Sequence, residues 1–243
     1  MKKIKYCLTM MLLACSTMSF AQFSNGGGSS KASTADTEAW KGLRLGYDMT
    51  SAKIDYEGAD DYTFHGFSLG YVHAFNIAKL PLFIETGAGV SFARYSDSET
   101  AEQGGVSAEV SESINMFALR IPVNLVYKVQ INDKMAIKPF TGFYLRANLM
   151  GKANEKMEVS IPSEYQQYGI NASDYEYDED YNLFDEDDMG KDGTWNRVQF
   201  GWQIGATLDI NKFNIGIGYA LDFNEIAEKT KCGIFSANIG FNF

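Results

Sequence analysis

The sequence predicts an all-β protein, an eight-stranded antiparallel up-and-down transmembrane β-barrel, and three observations lead to it. Segments of alternating apolar and polar residues recur from Trp40 to the last residue. The connections between them alternate between short and long. A basic and then apolar leader opens the chain and directs it out of the cytoplasm.

The leader comes first. Lys2, Lys3 and Lys5 precede an apolar stretch from Leu8 to Phe20, and Ser19-Phe-Ala21 before Gln22 supplies the small residues a signal peptidase requires. Residues 1–21 therefore read as a secretory signal. A membrane-anchoring helix needs about 20 apolar residues, whereas this run is shorter and is interrupted by Thr9, Ser16, Thr17 and Ser19. Leu12-Leu-Ala-Cys15 is close to a lipobox, which leaves lipoprotein processing at Cys15 as the alternative, with bulky Leu13 against it. Cleavage removes three of the 21 basic residues and none of the 31 acidic ones, taking the formal net charge from −10 to −13. Such acidity argues against a nucleic-acid partner. Cleavage also removes Cys7 and Cys15 and leaves Cys232 alone, so no intramolecular disulfide is expected and there is no zinc-type cysteine spacing. Residues 22–39, with Asn25-Gly-Gly-Gly-Ser-Ser30, contain nothing able to bury a core and read as a flexible periplasmic lead-in to a barrel domain at 40–243.

Eight alternating segments follow. The first, Gly42 to Asp55, sets Leu43, Leu45, Tyr47 and Met49 against Arg44, Gly46, Asp48 and Thr50, and the second, Thr63 to Phe75, sets Phe67, Leu69, Tyr71 and Phe75 against Gly66, Ser68, Gly70 and Ala74. The third, Leu82 to Tyr95, carries Ile84, Val90 and Phe92 opposite Glu85, Gly89 and Ser91. Leu119 to Val129 is the fourth, with Arg120, Pro122, Asn124 and Lys128 on its polar face. The fifth, Met135 to Leu149, has a mixed pattern that assigns neither face. In the sixth, Val198, Phe200, Trp202 and Ile204 oppose Arg197, Gln199, Gly201 and Gln203. The seventh sets Phe213, Ile215, Ile217, Tyr219 and Leu221 against Asn214, Gly216, Gly218 and Asp222, and the eighth runs from Phe235 to Phe243.

Connections Asn76 to Pro81, Ile131 to Lys134 and Asn211-Lys212 are tight, while Tyr56 to Tyr62, Ser96 to Ser113, Gly151 to Thr194 and Asn224 to Lys231 are long. Transmembrane barrels sort their loops this way, with short turns on the periplasmic side, long loops outside and an even strand number. A soluble sandwich has no reason to sort loops by parity, and its outward faces would be polar.

The alternating ending with a terminal aromatic resembles the C-terminal sorting signature of bacterial outer-membrane barrels. Leu119-Arg-Ile-Pro-Val123, Lys138-Pro-Phe140 leading into a glycine, Gly216-Ile-Gly-Tyr219 and Asp222-Phe-Asn-Glu-Ile226 together resemble the small outer-membrane β-barrel domain often labelled "porin family", common in Bacteroidetes-type bacteria. The resemblance spans residues 40–243. It implies an integral outer-membrane protein surrounded by lipid, with both termini periplasmic and its closing strand presented to the barrel assembly machinery. The long acidic third loop departs from what the barrel requires, so no activity is carried over from relatives.

An eight-stranded barrel is only wide enough to be filled by side chains. The facing pattern predicts lumen charges at Arg44, Asp48, Glu85, Arg120, Lys128, Arg197 and Asp222, with Glu85 and Arg120 close across neighbouring strands and the whole forming a plug of ion pairs. Pro122, in a strand paired on both sides, predicts a bulge. His65 and His73 share the parity of the outward residues while Ser68 and Ser91 point inward, so no nucleophile and base share a proton and no catalytic, cofactor-binding or metal residue is assigned. Tyr47, Tyr71, Tyr127, Trp202, Tyr219, Phe241 and Phe243 read as interfacial girdles. Asp174 to Asp192 holds ten carboxylates and one lysine among Tyr175, Tyr177, Tyr181 and Phe184. It reads either as a solvated acidic loop or as a recognition surface for Ca²⁺ or an extracellular ligand. Alternation at Met157, Val159 and Ile161 implies that the fifth strand reforms beyond the membrane. The functional expectation is a non-enzymatic barrel with a structural or surface-binding role and no cofactor. A narrow passive channel is the alternative, and a lipid-modifying enzyme follows it.

Overall fold

A strand with one apolar face can put that face into lipid only if both its hydrogen-bonding edges are paired, which closure alone achieves. In the computed structural model, which describes residues 37–55, 61–166 and 168–243, eight strands do close. The strands are β1 (Lys41–Ile54), β2 (Tyr62–Asn76), β3 (Leu82–Gln103), β4 (Val106–Tyr127), β5 (Val129–Asn132), β6 (Met135–Ser160), β7 (Tyr177–Asn182), β8 (Val198–Ile210), β9 (Phe213–Asp222) and β10 (Thr230–Asn242). The antiparallel ring runs β1-β2-β3-β4-β6-β8-β9-β10 and returns to β1 through a register from Gly42↔Asn242 to Ile54↔Thr230. Short β5 pairs only with the start of β6, and β7 only with its far end. The secretory signal at 1–21 and most of the lead-in at 22–39 lie outside the described residues.

Parity sorts the faces as the sequence predicts. Leu45, Phe67, Leu69, Val123, Leu125, Ile215 and Ile217 are exposed on the outer surface, while Asp48, Asn124, Gln203, Asn214 and Asp222 are buried inside. On β6, whose facing the sequence left open, Lys138, Tyr144, Arg146 and Asn148 are buried while Ile137, Phe143, Leu145 and Leu149 are exposed. The glycines of β8 explain how its bulkiest neighbours fit. A Cβ at Gly201 would lie 2.5 Å from the Tyr144 hydroxyl, and one at Gly205 would lie 2.4 Å from the Phe140 ring.

Two expectations are corrected. Ser96 to Ser113 is not a loop, because β3 and β4 continue through it as a hairpin ending in a two-residue turn. Gly104 and Gly105 there have φ of 61° and 85°, the left-handed conformations that such a turn demands. Likewise β6 runs on to Ser160 without a break. The bulge expected at Pro122 lies elsewhere. Pro122 stays in register opposite Tyr144, and the Thr86 hydroxyl donates to its carbonyl at 2.8 Å. The slip occurs where Phe117 pairs with Met150 but Ala118 pairs with Asn148, leaving Leu149 as the extra residue.

Candidate functional site: the filled lumen and the long-loop rim

Polar side chains forced inward by strand parity must find partners there, since an unpaired buried charge is costly. They do so in tiers. Nearest the short turns, Lys138 Nζ pairs with Asp209 at 2.7 Å and lies 3.9 Å from the centre of the Trp40 ring, whose Nε1 donates to Glu85 at 2.8 Å. Trp40, Phe83, Val126 and Phe140 pack together as the apolar part of this plug. At mid-barrel, Arg146 pairs with Asp222 at 2.5 Å, and the Tyr144 hydroxyl donates to the other carboxylate oxygen. Arg120 stacks 4.2 Å from the Tyr144 ring and donates to Gln203 at 2.7 Å, which in turn donates to Asn124. Toward the long loops, Phe64, Ile114, Met116 and Cys232 from the strands meet Leu183 and Ile226 from the loops, with Trp195 and Met189 against them.

Above that plug, β3, β4, β6 and β7 stand clear of the ring as a four-stranded sheet. The last β2–β3 pair is His65↔Arg94 and the last β6–β8 pair is Ala147↔Val198. One cross-strand row of this sheet is Asp97↔Glu112↔Glu155↔Glu179, a carboxylate from every strand on the face that continues the lumen side. Like charges placed directly opposite destabilise a sheet. Burial first, and then the neighbouring Glu155 and Asp97, hold the Glu112 carboxyl above the usual carboxylate range. Tyrosines relieve part of the repulsion: Tyr177 donates to Glu155 at 2.6 Å, and Tyr181 donates to Glu179. Those bonds raise both phenols, Tyr181 to about 12.

A family model for the outer membrane protein beta-barrel domain matches residues 20–228. The chain belongs to this family. Among solved structures it is similar to the attachment invasion locus protein Ail of Yersinia pestis, at 18% identity and a TM-score of 0.35, over 85% of this chain and 99% of that one. It is also similar to Neisserial surface protein A, at 12% identity and 0.36, over 84% and 97%. The N-terminal β-barrel domain of Pseudomonas aeruginosa OprF is 12% identical at 0.28, over 85% and 100%. No curated protein matches the chain.

Membership of the outer-membrane barrel family makes this an integral outer-membrane protein, and the predicted residues take their places within it. Arg44, Asp48, Glu85, Arg120 and Asp222 face the lumen, but Glu85 and Arg120 do not meet. The register opposes Glu85 to Asn124 and Gly89 to Arg120, so the two charges go to Trp40 and Gln203 instead. Arg197 sits at the rim over the Phe184 ring at 4.4 Å, and Lys128 lies 5.8 Å from the Trp40 ring. Lys138, Tyr144 and Arg146 were illegible because they belong to the strand of mixed pattern, and Asp209 because it closes the sixth segment. His65 lies on the outer surface, 2.5 Å from the Tyr47 hydroxyl, and His73 stacks on Phe75 at 4.3 Å. The predicted girdle aromatics all face outward, with Phe213–Phe241 and Tyr71–Phe243 contacts at the short-turn rim. In the acidic loop, Asp178 and Asp180 accept from Asn154, and Asp185 caps the single helical turn Glu186–Met189. Among the described residues, no group of three or more His, Cys, Asp or Glu side chains is placed to hold a metal ion.

Proposed function

We propose that this is a non-enzymatic outer-membrane barrel whose work is done at the long-loop rim, which faces outside the cell while both termini face the periplasm. The observation that carries the reading is the four-stranded sheet above the ring, with its cross-strand row of Asp97, Glu112, Glu155 and Glu179. A row of like charges spaced at the interstrand distance, about 4.8 Å, favours a cationic partner that crosses the strands, such as a basic extended segment of another surface protein. Flanking Tyr177 and Tyr181 offer rings for the partner's aliphatic stems. The separation of His65 from Ser68 and Ser91 supports the absence of hydrolytic chemistry. The Bacteroidetes-type "porin family" assignment belongs to the same reading.

The test is a titration of the folded barrel with a fluorescent oligo-lysine peptide, against an oligo-glutamate control. Binding should weaken at least tenfold in the double variant Glu112→Gln/Glu155→Gln and fall steeply with salt. Equal binding by wild type and double variant would refute the site. A parallel calorimetric titration with Ca²⁺ separates a cation requirement from peptide recognition.

A further inference from the structure

Below the loop-borne plug, the lumen is not filled on all sides. A cavity of about 220 Å³ runs along the wall where β1, β2 and β3 present Gly46, Gly70, Gly89, Ser68 and Ser91, opposite the bulky Arg120 and Phe140. Its wall is largely apolar, but several polar groups are set into it. Asp48 is buried at its wall, its charge facing that of Arg120, and Arg120 Nε, Asn148 Oδ1 and Asn238 Oδ1 are buried there without a hydrogen-bond partner. Buried polar atoms are satisfied by water where no protein partner exists, and this volume accommodates several molecules at about 30 Å³ each.

The two ends of the chamber are closed by different means. At the short-turn end the lining stops at Glu85 and Phe140, behind which Trp40 is held by its Nε1 bond to Glu85, by the Lys138 ammonium over its ring, and by the backbone bond from Ala74 to its carbonyl. The other end is lined by Trp195, with Leu183 packed in the cluster behind it, and both come from a connection and not from a ring strand. Its backbone bonds are mostly internal, among them Trp195 N to Leu183 O, Met189 N to Asp185 O and Thr194 N to Gly190 O, and those that tie it to the rest of the barrel are few: Leu183 N to Gly151 O, and Asn196 N to Ile226 O just beyond it. A segment held by so few bonds opens at lower free energy than strands locked in complete ladders.

We propose that Leu183–Trp195 is a displaceable lid over a hydrated, blind chamber, which admits water and small polar solutes from the long-loop rim without connecting the two sides of the membrane. Cys232 lies at 2% exposure directly under the lid and reports on it. Alkylation of the folded full-length protein with a small water-soluble thiol reagent is followed by mass spectrometry of the Cys232 peptide. The expected result is slow modification in wild type and at least tenfold faster modification in Leu183→Ala/Trp195→Ala. Gly151→Leu should act the same way, because a Cβ there falls 2.9 Å from the Phe184 ring and 3.4 Å from Leu183. Heat-modifiable gel migration verifies that each variant is folded. In a planar bilayer all of them should remain non-conducting, since Trp40 is untouched. Rapid alkylation of wild type, unchanged alkylation in both folded variants, or steady conductance through either variant would each overturn the proposal.

Discussion

Asp222 shows how much a single lumen carboxylate carries. Its two oxygens serve Arg146 and Tyr144, both buried. Removing it leaves a buried guanidinium without its counter-charge, a loss of roughly 3–5 kcal/mol. Asp222→Ala should therefore lower the urea stability of the refolded barrel by that order, while Tyr144→Phe, which removes one hydroxyl, should cost about 1 kcal/mol. Similar losses for the two variants would mean that the ion pair contributes little. Asp222 was legible in the sequence because clean alternation in the seventh segment fixed its face. Its partners were not, since Lys138-Pro-Phe-Thr-Gly142 mixes charge, ring and glycine and gives no period from which Arg146 could be oriented.

Among the elements, the hairpin of β3 and β4 beyond the ring is the clearest case of a strand without a hydropathic signature. Ser96 to Gln103 is polar on both faces, and the alternation of Val106, Ala108 and Val110 with Ser107, Glu109 and Ser111 is too short to mark a strand by itself. Only Gly104-Gly105 marked the turn. The scarcity of large apolar residues makes this hairpin sensitive to charge. A carboxyl whose folded-state pKa lies above its unfolded value binds its proton more tightly in the folded chain. Its stabilising contribution is therefore present at low pH and is lost as pH rises through the folded value. For Glu112, whose pKa is raised, amide protection factors across Ser96–Ser113 should increase as pH falls from neutral to mildly acidic. Glu112→Gln should be more protected than wild type at neutral pH and lose most of that dependence. An identical pH slope in both proteins would show that the carboxylate row does not govern the hairpin.

For the whole molecule, closure was the part most fully written in the sequence, because period-two alternation and loop parity are global signals that survive local irregularity. The final residue extends the seam between first and last strands beyond its ladder: Phe243 N donates to Lys41 O at 2.9 Å, and its ring lies 5.8 Å from Lys41 Nζ. Deleting Phe243 should reduce the amount of heat-modifiable barrel in outer-membrane fractions, and unchanged levels would count against a role in assembly. The loop plug, by contrast, could not be read beforehand, since Leu183 and Trp195 belong to no periodic apolar pattern and meet the lumen only once the barrel has closed. The extra residue Leu149 gives the closed barrel one more property. By advancing β6 half a pleat, it puts Glu155 on the inner side and Lys152 and Lys156 on the outer side. Paired in a regular ladder, with Leu149 counted as an ordinary residue instead of bulged out, the same strand would turn its cations toward the carboxylate row and its carboxylates outward. The electrical polarity of the rim is thus a matter of reading frame, set by one residue beside the membrane and independent of which charges the loops contain.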